Sequence, residues 1–264
     1  MNKLKKLKEI LKQMHSVLVA YSAGVDSTFL LKVASDVLGN RVLAVTAISP
    51  TYPKEELIFS KKMAKVLGVR QRIIKTFELK NKRFITNSVN RCYFCKDELF
   101  RRLKKIAKEN KINFVADASN LSDEHDFRPG NKAKAKLKIR SPLVEAGFTK
   151  EDIRKMSKKL GLITWNKASL ACIASRIPYG MRINQRLLER INKAESCLRK
   201  MGFQQVRLRH YNGLCRIEVP KNDIPALINK RHLILEKLKN LGYAYVTVDL
   251  EGYRTGSMNE VIKR

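Results

Sequence analysis

Residues 16–38 read SVLVAYSAGVDSTFLLKVASDVL, and this stretch decides the fold. The run from Ser16 to Tyr21 is short and apolar, which predicts a buried strand, and the apolar periodicity after Ser27 predicts a helix. Between them, SAGVDS predicts a tight turn with a glycine and two hydroxyls, leading into the positive end of the helix. Backbone amides at a helix start bind anions, so we expect an anionic ligand at this loop.

Within this loop, the residues predicted to bind the ligand are Ser22, Gly24, Asp26 and Ser27. No Gly-Lys-Ser/Thr follows, so the loop is not a Walker loop and places no lysine beside the phosphates. It resembles the SGGxDS motif of the PP-loop ATP pyrophosphatases, which hold ATP and cleave it to AMP and pyrophosphate. Ala23 stands at the second position of that motif, where its methyl group leaves less room for the backbone to approach a ligand.

The composition of the 264-residue chain, 44% of it hydrophobic, suits a globular protein. No stretch approaches the roughly 20 apolar residues that span a bilayer. Residues 1–12 form a charged amphipathic pattern rather than a signal peptide. We therefore expect a cytoplasmic protein without a membrane partner.

The formal net charge of +31 suits a nucleic-acid partner, but its distribution makes that partner only an alternative. The lysines are scattered along the chain at predicted solvent-facing helix positions. One dense run, residues 131–138, is more typical of a solvated loop than of a phosphate-binding arm.

Predicted strands and helices alternate through the first 120 residues. The strands are predicted at 16–21, 41–48, 71–75 and 114–117, and the helices between and around them at 1–14, after residue 27, at 53–67 and at 90–108. This alternation predicts an α/β fold with a parallel sheet and helices on both faces. Ligands of such sheets bind at the carboxyl ends of the strands.

Polar side chains follow the predicted strands at three of those ends, and we expect these ends to converge. They are the Ser22 loop, the segment from Thr46 to Ser49, and residues 117–120. The charged segment 121–130 follows as a loop. In it, Asp123 or Asp126 could reach a Mg²⁺ ion on ATP and Arg128 could neutralise phosphate, the alternative being a loop that satisfies its own polar groups.

The regular alternation of strands and helices does not continue in the second half of the chain. Thr149-Lys-Glu-Asp152 resembles a capping box and predicts a helix start, whereas residues 164–180 show no clear period and predict a connector. Asn212-Gly213, between two alternating runs, is a strong hairpin signal. The elements predicted after the connector are a helix at 184–200, strands at 205–211 and 214–219, a helix at 223–241 and a strand at 243–250.

These patterns predict three parts in the chain. Residues 1–163 are expected to form a PP-loop domain and residues 164–180 a catalytic connector. Residues 181–264 are expected to form a smaller α+β domain for substrate binding or oligomerisation.

The spacing of the five cysteines is more informative than their number. Cys92-x-x-Cys95 alone fits a redox dithiol, half of a zinc or iron-sulfur site, or two core cysteines. Cys172 in the connector is the third candidate, and three thiolates can hold a four-iron cluster whose fourth iron stays open for a ligand such as sulfide. Cys197 and Cys215 fall at apolar helix and strand positions, so they are predicted to be small core residues.

Six segments carry a family resemblance: the Ser22 loop, RCYFCKDELF (91–100), DFRPG (126–130), SPLVEAGFTKEDIR (141–154), TWNKASLACIASRIPYG (164–180) and RLR (207–209). Together they resemble LarE, the family of PP-loop sulfur transferases that helps to build the nickel-pincer nucleotide cofactor of lactate racemase. The resemblance implies that ATP adenylates a carboxylate of pyridinium-3,5-biscarboxylic acid mononucleotide and that pyrophosphate leaves. A sulfur atom then replaces oxygen to give a thiocarboxylate. The resemblance also implies homo-oligomers.

Several residues take roles in that reaction. Asp26 would serve adenylation, and Arg207 and Arg209, two apart on one strand, would clamp the substrate phosphate, unless they form only a basic face. Arg176 would act beside the sulfur-bearing connector, and Glu195 would orient one of the arginines or face solvent. Thr46, Asp126 and Arg128 would complete the nucleotide site.

The LarE family divides by its sulfur source. Some members sacrifice a connector cysteine, which becomes dehydroalanine and lies five residues before the Arg of RxPYG; here that position is Ala171, and Cys172 is one residue late. Other members carry three cysteines and resemble cluster-dependent thiolases. We therefore expect a [4Fe-4S] cluster on Cys92, Cys95 and Cys172, with sacrifice of Cys172 as the alternative. A PP-loop tRNA thiolase and a non-enzymatic nucleotide- or zinc-binding module are the alternative functions.

Overall fold

The computed structural model of the chain describes residues 2–49, 52, 54–123, 129–168 and 172–262. The strands are β1 (Val17–Ala20), β2 (Val42–Ile48), β3 (Arg70–Lys75), β4 (Phe114–Ala116), β5 (Arg207–Tyr211), β6 (Leu214–Glu218) and β7 (Tyr245–Val248). The α-helices are α1 (Lys3–Met14), α2 (Val25–Leu38), α3 (Lys54–Val66), α4 (Lys82–Ile85), α5 (Arg91–Glu109), α6 (Gly130–Lys136), α7 (Pro142–Glu145), α8 (Lys150–Lys159), α9 (Gln185–Lys200), α10 (Ile224–Asn229) and α11 (Arg231–Asn240).

The chain divides into two compact units. The first comprises Met1–Asn81 and Asn90–Lys167, and the second comprises Lys82–Val89 and Ala168–Arg264. Among the described residues, no helix has the length and apolar character that crossing a membrane requires.

The first unit contains a parallel sheet with the strand order β3-β2-β1-β4. Val17 of β1 lies opposite Val42 of β2 on one side and Phe114 of β4 on the other. The chain moves outward from β1 to β3 and then returns to the far side of β1 for β4, so the strand order switches direction at β1. The predicted α/β class and parallel sheet are confirmed.

Helices cover both faces of this sheet because the side chains of β1 alternate between two cores. Val17 and Val19 are fully buried in a core that includes Phe29 of α2. Leu18 points the other way, into a second core with Phe100 and other residues of α5. Buried on both faces, β1 is the central strand of the unit.

Helix caps in this unit follow the sequence signals. The side chain of Asn2 accepts a hydrogen bond from the Leu4 amide and begins α1. The predicted capping box is confirmed at α8, where the Thr149 hydroxyl accepts from the Asp152 amide and the Asp152 carboxylate accepts from the Thr149 amide.

The lysine-rich run at 131–138 departs from the prediction of a loop. Residues Gly130–Lys136 form α6, which packs against α5, and Ala133 is fully buried. Lysine and alanine are strong helix formers, so their propensity favours a helix even where the sequence shows no apolar period.

The second unit contains a mixed sheet with the order β5-β6-β7. β5 and β6 are antiparallel and pair Tyr211 with Leu214, which confirms the predicted hairpin at Asn212-Gly213. Asn212 has a φ of 54°, in the left-handed region that asparagine tolerates in such turns. β7 then pairs with β6 in parallel.

The predicted single helix at 223–241 is instead two helices, α10 and α11, which meet at Lys230. Lys230 has a φ of −91° and a ψ of 11°, and its ammonium donates to the Met201 carbonyl. The sequence signal for this break is weak, because only Asn229 has a low helix propensity there.

A short segment from the first half of the chain, Lys82–Val89, belongs to the second unit. Asn87 anchors it: the residue is fully buried with a φ of 55°, and its side-chain amide donates to the carbonyls of Ile177, Pro178 and Met181. The Asn87 carbonyl in turn accepts from the Gly180 amide. These contacts join residues about 90 apart in sequence, which no local pattern reveals.

Replacing Asn87 by Asp tests this anchor. The aspartate has the same shape, but it lacks the NH2 group that donates hydrogen bonds to the carbonyls of residues 177, 178 and 181. Those carbonyls therefore lose their donor. We expect a loss of about 2–4 kcal/mol in the free energy of unfolding, measured by urea denaturation. Thr86→Ala, at an exposed neighbour, is the control; equal stability of Asn87→Asp and wild type would contradict the assigned role.

Candidate functional site

The loop after β1 has the geometry of an anion site. The hydroxyls of Ser22 and Ser27 lie 3.1 Å apart, and the Ser27 hydroxyl donates to the Gly24 carbonyl. Gly24 is the N-cap residue of α2, and among the described residues no side chain makes a capping hydrogen bond to this helix start. The first amides of α2 therefore remain available to an anion at the positive end of the helix.

Ala23, rather than Gly24, adopts the special backbone conformation of the loop. Gly24 has a φ of −77° and a ψ of 173°, which any residue adopts, whereas Ala23 has a φ of 58° and is fully buried. The expectation that Gly24 supplies the tight turn is therefore wrong. The left-handed conformation costs a non-glycine residue about 1–2 kcal/mol, so surrounding contacts hold Ala23 in place.

Two of those contacts come from outside the loop. Lys167 donates to the Ala23 carbonyl at 3.1 Å and pairs with Glu56 at 2.7 Å, and its ammonium lies 3.8 Å from the centre of the Phe59 ring. The Tyr52 hydroxyl donates to the Ser22 carbonyl at 3.2 Å. Neither Lys167 nor Tyr52 belongs to the loop motif, so no sequence pattern indicates their contact with the loop.

Asp26, predicted to act in the site, lies in the first turn of α2. One of its carboxylate oxygens accepts from Lys150 at 2.6 Å. The other is buried and has no hydrogen-bond partner among the described residues. A carboxylate with one unsatisfied oxygen beside an anion site is the donor type that Mg²⁺ prefers.

Thr46 marks the end of β2 and is fully buried. Its hydroxyl donates to the Tyr21 carbonyl at 2.8 Å and accepts from Gln71 at 2.8 Å. The ends of β1 and β2 thus converge as expected, but through a buried structural bond. Ligand binding by Thr46 stays a prediction.

The end of β4 carries a buried polar cluster around Asp117. Lys134 lies 3.2 Å from its carboxylate, and the hydroxyls of Ser119 and Ser141 each donate to it at 2.7 Å. Burial opposes ionisation of Asp117, but Lys134 and the two hydroxyls outweigh it and hold the pKa of Asp117 below its usual value. Asp117 is therefore an anion with its partners in place.

The charged segment after β4 is described only in part. The Asp123 carboxylate accepts from the Asn120 amide at 3.1 Å, as in a local turn. Asp126 and Arg128 lie outside the described residues, and their predicted roles stay predictions.

Cys92 and Cys95 lie in the first turn of α5, where Cys92 is exposed and Cys95 is half-buried. Cys172 belongs to the second unit and is exposed. Across the described ranges, no group of three or more His, Cys, Asp or Glu residues lies close enough to hold a metal ion. The three-cysteine cluster stays a prediction.

In the second unit, the backbone of Cys172 is tied to a buried ion pair. The Cys172 carbonyl accepts from Arg176 at 3.1 Å. Arg176 is fully buried and donates to both oxygens of Glu195, at 2.7 and 3.0 Å. Glu195 also accepts from the Leu208 amide at 3.0 Å and so joins α9 to β5.

Glu195 therefore orients Arg176 and does not face solvent. Burial alone would raise the pKa of Glu195, but Arg176 outweighs it and lowers the pKa below the usual value. The carboxylate is therefore ionised at neutral pH and paired with Arg176.

Arg207 and Arg209 are both buried rather than displayed on an open face. Arg209 donates to both oxygens of Glu218 at 2.9 Å and also to the Ser175 carbonyl. Burial and the charge of Arg176 lower the pKa of Arg207 to about 10. Arg176, Arg207 and Arg209 thus lie buried in the same unit as Glu195 and Glu218. The predicted phosphate clamp stays a prediction.

The remaining two cysteines differ in burial. Cys215 is fully buried in β6, and burial raises the pKa of its thiol to about 12, which confirms the predicted core position. Cys197 is half-buried on α9.

Comparison with known proteins finds relatives over nearly the whole chain, although no family model matches. An uncharacterised protein of Synechocystis sp. is 40% identical over 265 residues, covering 100% of this chain and 99% of the relative. Pyridinium-3,5-bisthiocarboxylic acid mononucleotide synthase of Lactiplantibacillus plantarum is 37% identical over 255 residues, covering 96% and 92%. An uncharacterised protein of Methanocaldococcus jannaschii is 30% identical over 258 residues, covering 97% and 98%.

Glu195→Gln tests the buried pair. The neutral amide leaves the charge of Arg176 without compensation, so we expect a loss of about 3–5 kcal/mol in the free energy of unfolding at pH 7. Glu189→Gln, at an exposed position of α9, should change little.

The Arg176–Glu195 pair also makes the free energy of unfolding depend on pH. Because the pKa of Glu195 is lowered by folding, its stabilisation is fully present above the unfolded pKa of about 4.3 and is lost as the pH falls through the folded value. The stability gap between wild type and Glu195→Gln should therefore narrow below about pH 4. Urea unfolding over a pH series measures it, and a constant gap would show that Glu195 is not the titrating group.

Proposed function

This chain belongs to the LarE family, and on that premise we propose that it is an ATP-dependent sulfur transferase. Its substrate is pyridinium-3,5-biscarboxylic acid mononucleotide, and its product carries a thiocarboxylate in place of a carboxylate. AMP and pyrophosphate are the products of ATP. The reaction serves the biosynthesis of the nickel-pincer nucleotide cofactor.

The observation that carries the proposal is the 37% identity to the synthase of Lactiplantibacillus plantarum over 96% of this chain. At this coverage the match extends over the loop at residues 22–27, the segments that contain Cys92, Cys95 and Cys172, and strand β5 with its two arginines.

The loop suits a nucleoside triphosphate with its metal. The uncapped start of α2 supplies amides for phosphate oxygens, and Asp26 supplies a carboxylate oxygen without a partner among the described residues. ATP is the proposed co-substrate and Mg²⁺ its proposed metal. Mg²⁺ would offset the charge that develops on the leaving phosphates.

In the first step, an oxygen of the substrate carboxylate attacks the α-phosphorus of ATP. The bond from that phosphorus to the β-phosphate oxygen breaks, and pyrophosphate leaves with the electron pair. The amides of the loop stabilise the developing charge. The product is an acyl adenylate, which converts a poor electrophile into one with a good leaving group.

In the second step, sulfide attacks the acyl carbon, the bond from that carbon to the phosphate oxygen breaks, and AMP leaves with the electron pair. We propose a [4Fe-4S] cluster on Cys92, Cys95 and Cys172 as the site from which sulfur is delivered. Held by these thiols, the cluster would supply a binding site for exogenous sulfide. The chain contributes the thiol ligands, and Arg176 fixes the backbone carbonyl of Cys172.

Sacrifice of Cys172 is the alternative source. Its thiolate would attack the acyl carbon, with AMP leaving. Loss of the Cα proton would then break the Cβ–S bond, leaving the thiocarboxylate and dehydroalanine. The exposure of Cys172 suits either role.

The substrate also carries a phosphate, and the second unit offers a basic site for it. Arg207 is buried in the same unit as Arg176 and Arg209, and its guanidinium lies 5.2 Å from the centre of the Tyr253 ring. We propose that Arg207 and Arg209 bind this phosphate, with Glu195 and Glu218 holding Arg176 and Arg209 in position. Homo-oligomers, as in the family, remain part of the proposal.

A tRNA thiolase with the same adenylation chemistry is the second candidate, favoured by the net charge of +31. Retention of tRNA at physiological salt, together with thiolation of that tRNA, would support it. If tRNA is retained only at low salt and is not thiolated, its binding is non-specific electrostatic attraction and tRNA is not the substrate.

Pyrophosphate release on addition of ATP and the pyridinium dicarboxylate nucleotide tests adenylation. Wild type should release it only with both substrates present. Asp26→Asn should slow release by about a hundredfold, since it removes the charge that holds the metal. Asp36→Asn, on the same helix and paired with Lys32 at the surface, should act like wild type. Absence of release from wild type would leave a binding module instead.

Metal analysis of anaerobically purified protein separates the two sulfur sources. A cluster predicts brown protein with about four irons per chain and multiple turnovers with added sulfide. Sacrifice predicts a colourless protein whose mass falls by one hydrogen sulfide at Cys172 after a single turnover. Colourless, zinc-loaded protein without that mass loss would contradict both sources.

A further inference from the structure

The nucleotide loop lacks a lysine of its own, although its proposed ligand is strongly anionic. The positive end of α2 supplies only about half a unit charge, and one Mg²⁺ does not neutralise a triphosphate. A cation from another part of the chain would therefore strengthen the binding of a triphosphate at the loop.

Lys150 is placed to supply that cation. It is the first residue of α8, and its ammonium lies 2.6 Å from a carboxylate oxygen of Asp26, which is 124 residues away in sequence. Asp26 itself lies in the first turn of α2. The ammonium thus lies beside the helix start to which phosphate is proposed to bind.

The backbone of Lys150 is fixed, whereas its side chain can move. The Lys150 amide donates to the Ser122 hydroxyl at 3.1 Å, and the capping box of Thr149 holds the helix start. The ion pair with Asp26 is partly exposed, 34% for the lysine side chain and 23% for the aspartate. Partly exposed ion pairs contribute little stability, so this one can be exchanged for stronger partners.

Lys167, the other lysine at the loop, is not suited to exchange. Its ammonium is tied to the Ala23 carbonyl and to Glu56, and it lies over the ring of Phe59. Moving it would release three contacts at once and leave Glu56 without its cation. Lys167 is therefore held in place, and of the two described lysines at the loop Lys150 is the one whose ammonium can change partner.

We propose that Lys150 pairs with Asp26 before the nucleotide binds and then turns its ammonium to the phosphate oxygens of the bound triphosphate. The exchange leaves the Asp26 carboxylate to Mg²⁺. This inference rests on the proposed function of the loop. It makes Lys150 a selector for the triphosphate, because AMP offers no β- or γ-phosphate and is held without it.

Isothermal titration with α,β-methylene-ATP and Mg²⁺, and separately with AMP, tests the assignment. Lys150→Ala should raise the Kd of the triphosphate analogue by about tenfold or more, as expected for a lost charge-assisted hydrogen bond. Its Kd for AMP should stay within about twofold of wild type. Lys150→Arg should recover most of the affinity for the analogue, since it keeps the charge.

Lys155→Ala is the matched control, because Lys155 lies on the same helix and pairs with Glu151 at the surface. It should bind both nucleotides like wild type. Thermal unfolding checks that each variant is folded, and Lys150→Gln replaces Lys150→Ala if the shorter side chain prevents folding.

The outcomes are distinguishable. If wild type binds neither nucleotide, the proposed function of the loop fails. If wild type binds the analogue and Lys150→Ala binds it equally well, only the assignment of Lys150 fails. Equal losses for the analogue and AMP would show a structural role and would also overturn it.

Discussion

β1 pairs with β2 on one side and with β4 on the other, and this pairing fixes the position of the Ser22–Ser27 loop that follows β1. Hydrogen bonds on both edges and cores on both faces leave β1 no freedom to shift. The pairing continues past its end, where the Tyr21 amide donates to the Val45 carbonyl and the Tyr21 carbonyl accepts from Thr46. The loop at Ser22 thus begins from a fixed point, at the place where the strand order reverses.

The second unit is organised by electrostatics as much as by packing. Glu195 and Glu218 are fully buried carboxylates, each holding an arginine with two hydrogen bonds. Neither the arginines nor the glutamates would be stable there alone, since an unpaired buried charge is costly. The pairs therefore fix where the guanidinium groups lie, and through Arg176 they fix the carbonyl of Cys172.

Local patterns predicted most of the fold. Each strand of the parallel sheet begins and ends within one residue of its predicted bounds. The hairpin at Asn212 and the capping box at Thr149 follow from chemistry confined to four residues. The break at Lys230 and the helix at Gly130–Lys136 were not predicted, because propensity there is not accompanied by a clear period.

The candidate site was predicted less completely than the fold. The loop motif identified Asp26, but its partner Lys150 lies 124 residues away, and Lys167 lies 144 residues from the carbonyl it binds. The contacts of Asn87 with residues 177–181 likewise join positions 90 to 94 apart in sequence. Contacts of this kind depend on how the chain folds back on itself, and they leave no spacing in the sequence to detect.

The left-handed backbone at Ala23 has a consequence for the thermodynamics of ligand capture. Lys167 and Tyr52 grip the carbonyls of Ala23 and Ser22 from outside, so the loop is already bent into shape by the protein itself. An anion bound at this loop would meet amides that need little rearrangement, because the conformational entropy of the loop is already lost when the protein folds. The strained backbone of Ala23 is thus part of a loop that is preorganised before any ligand binds.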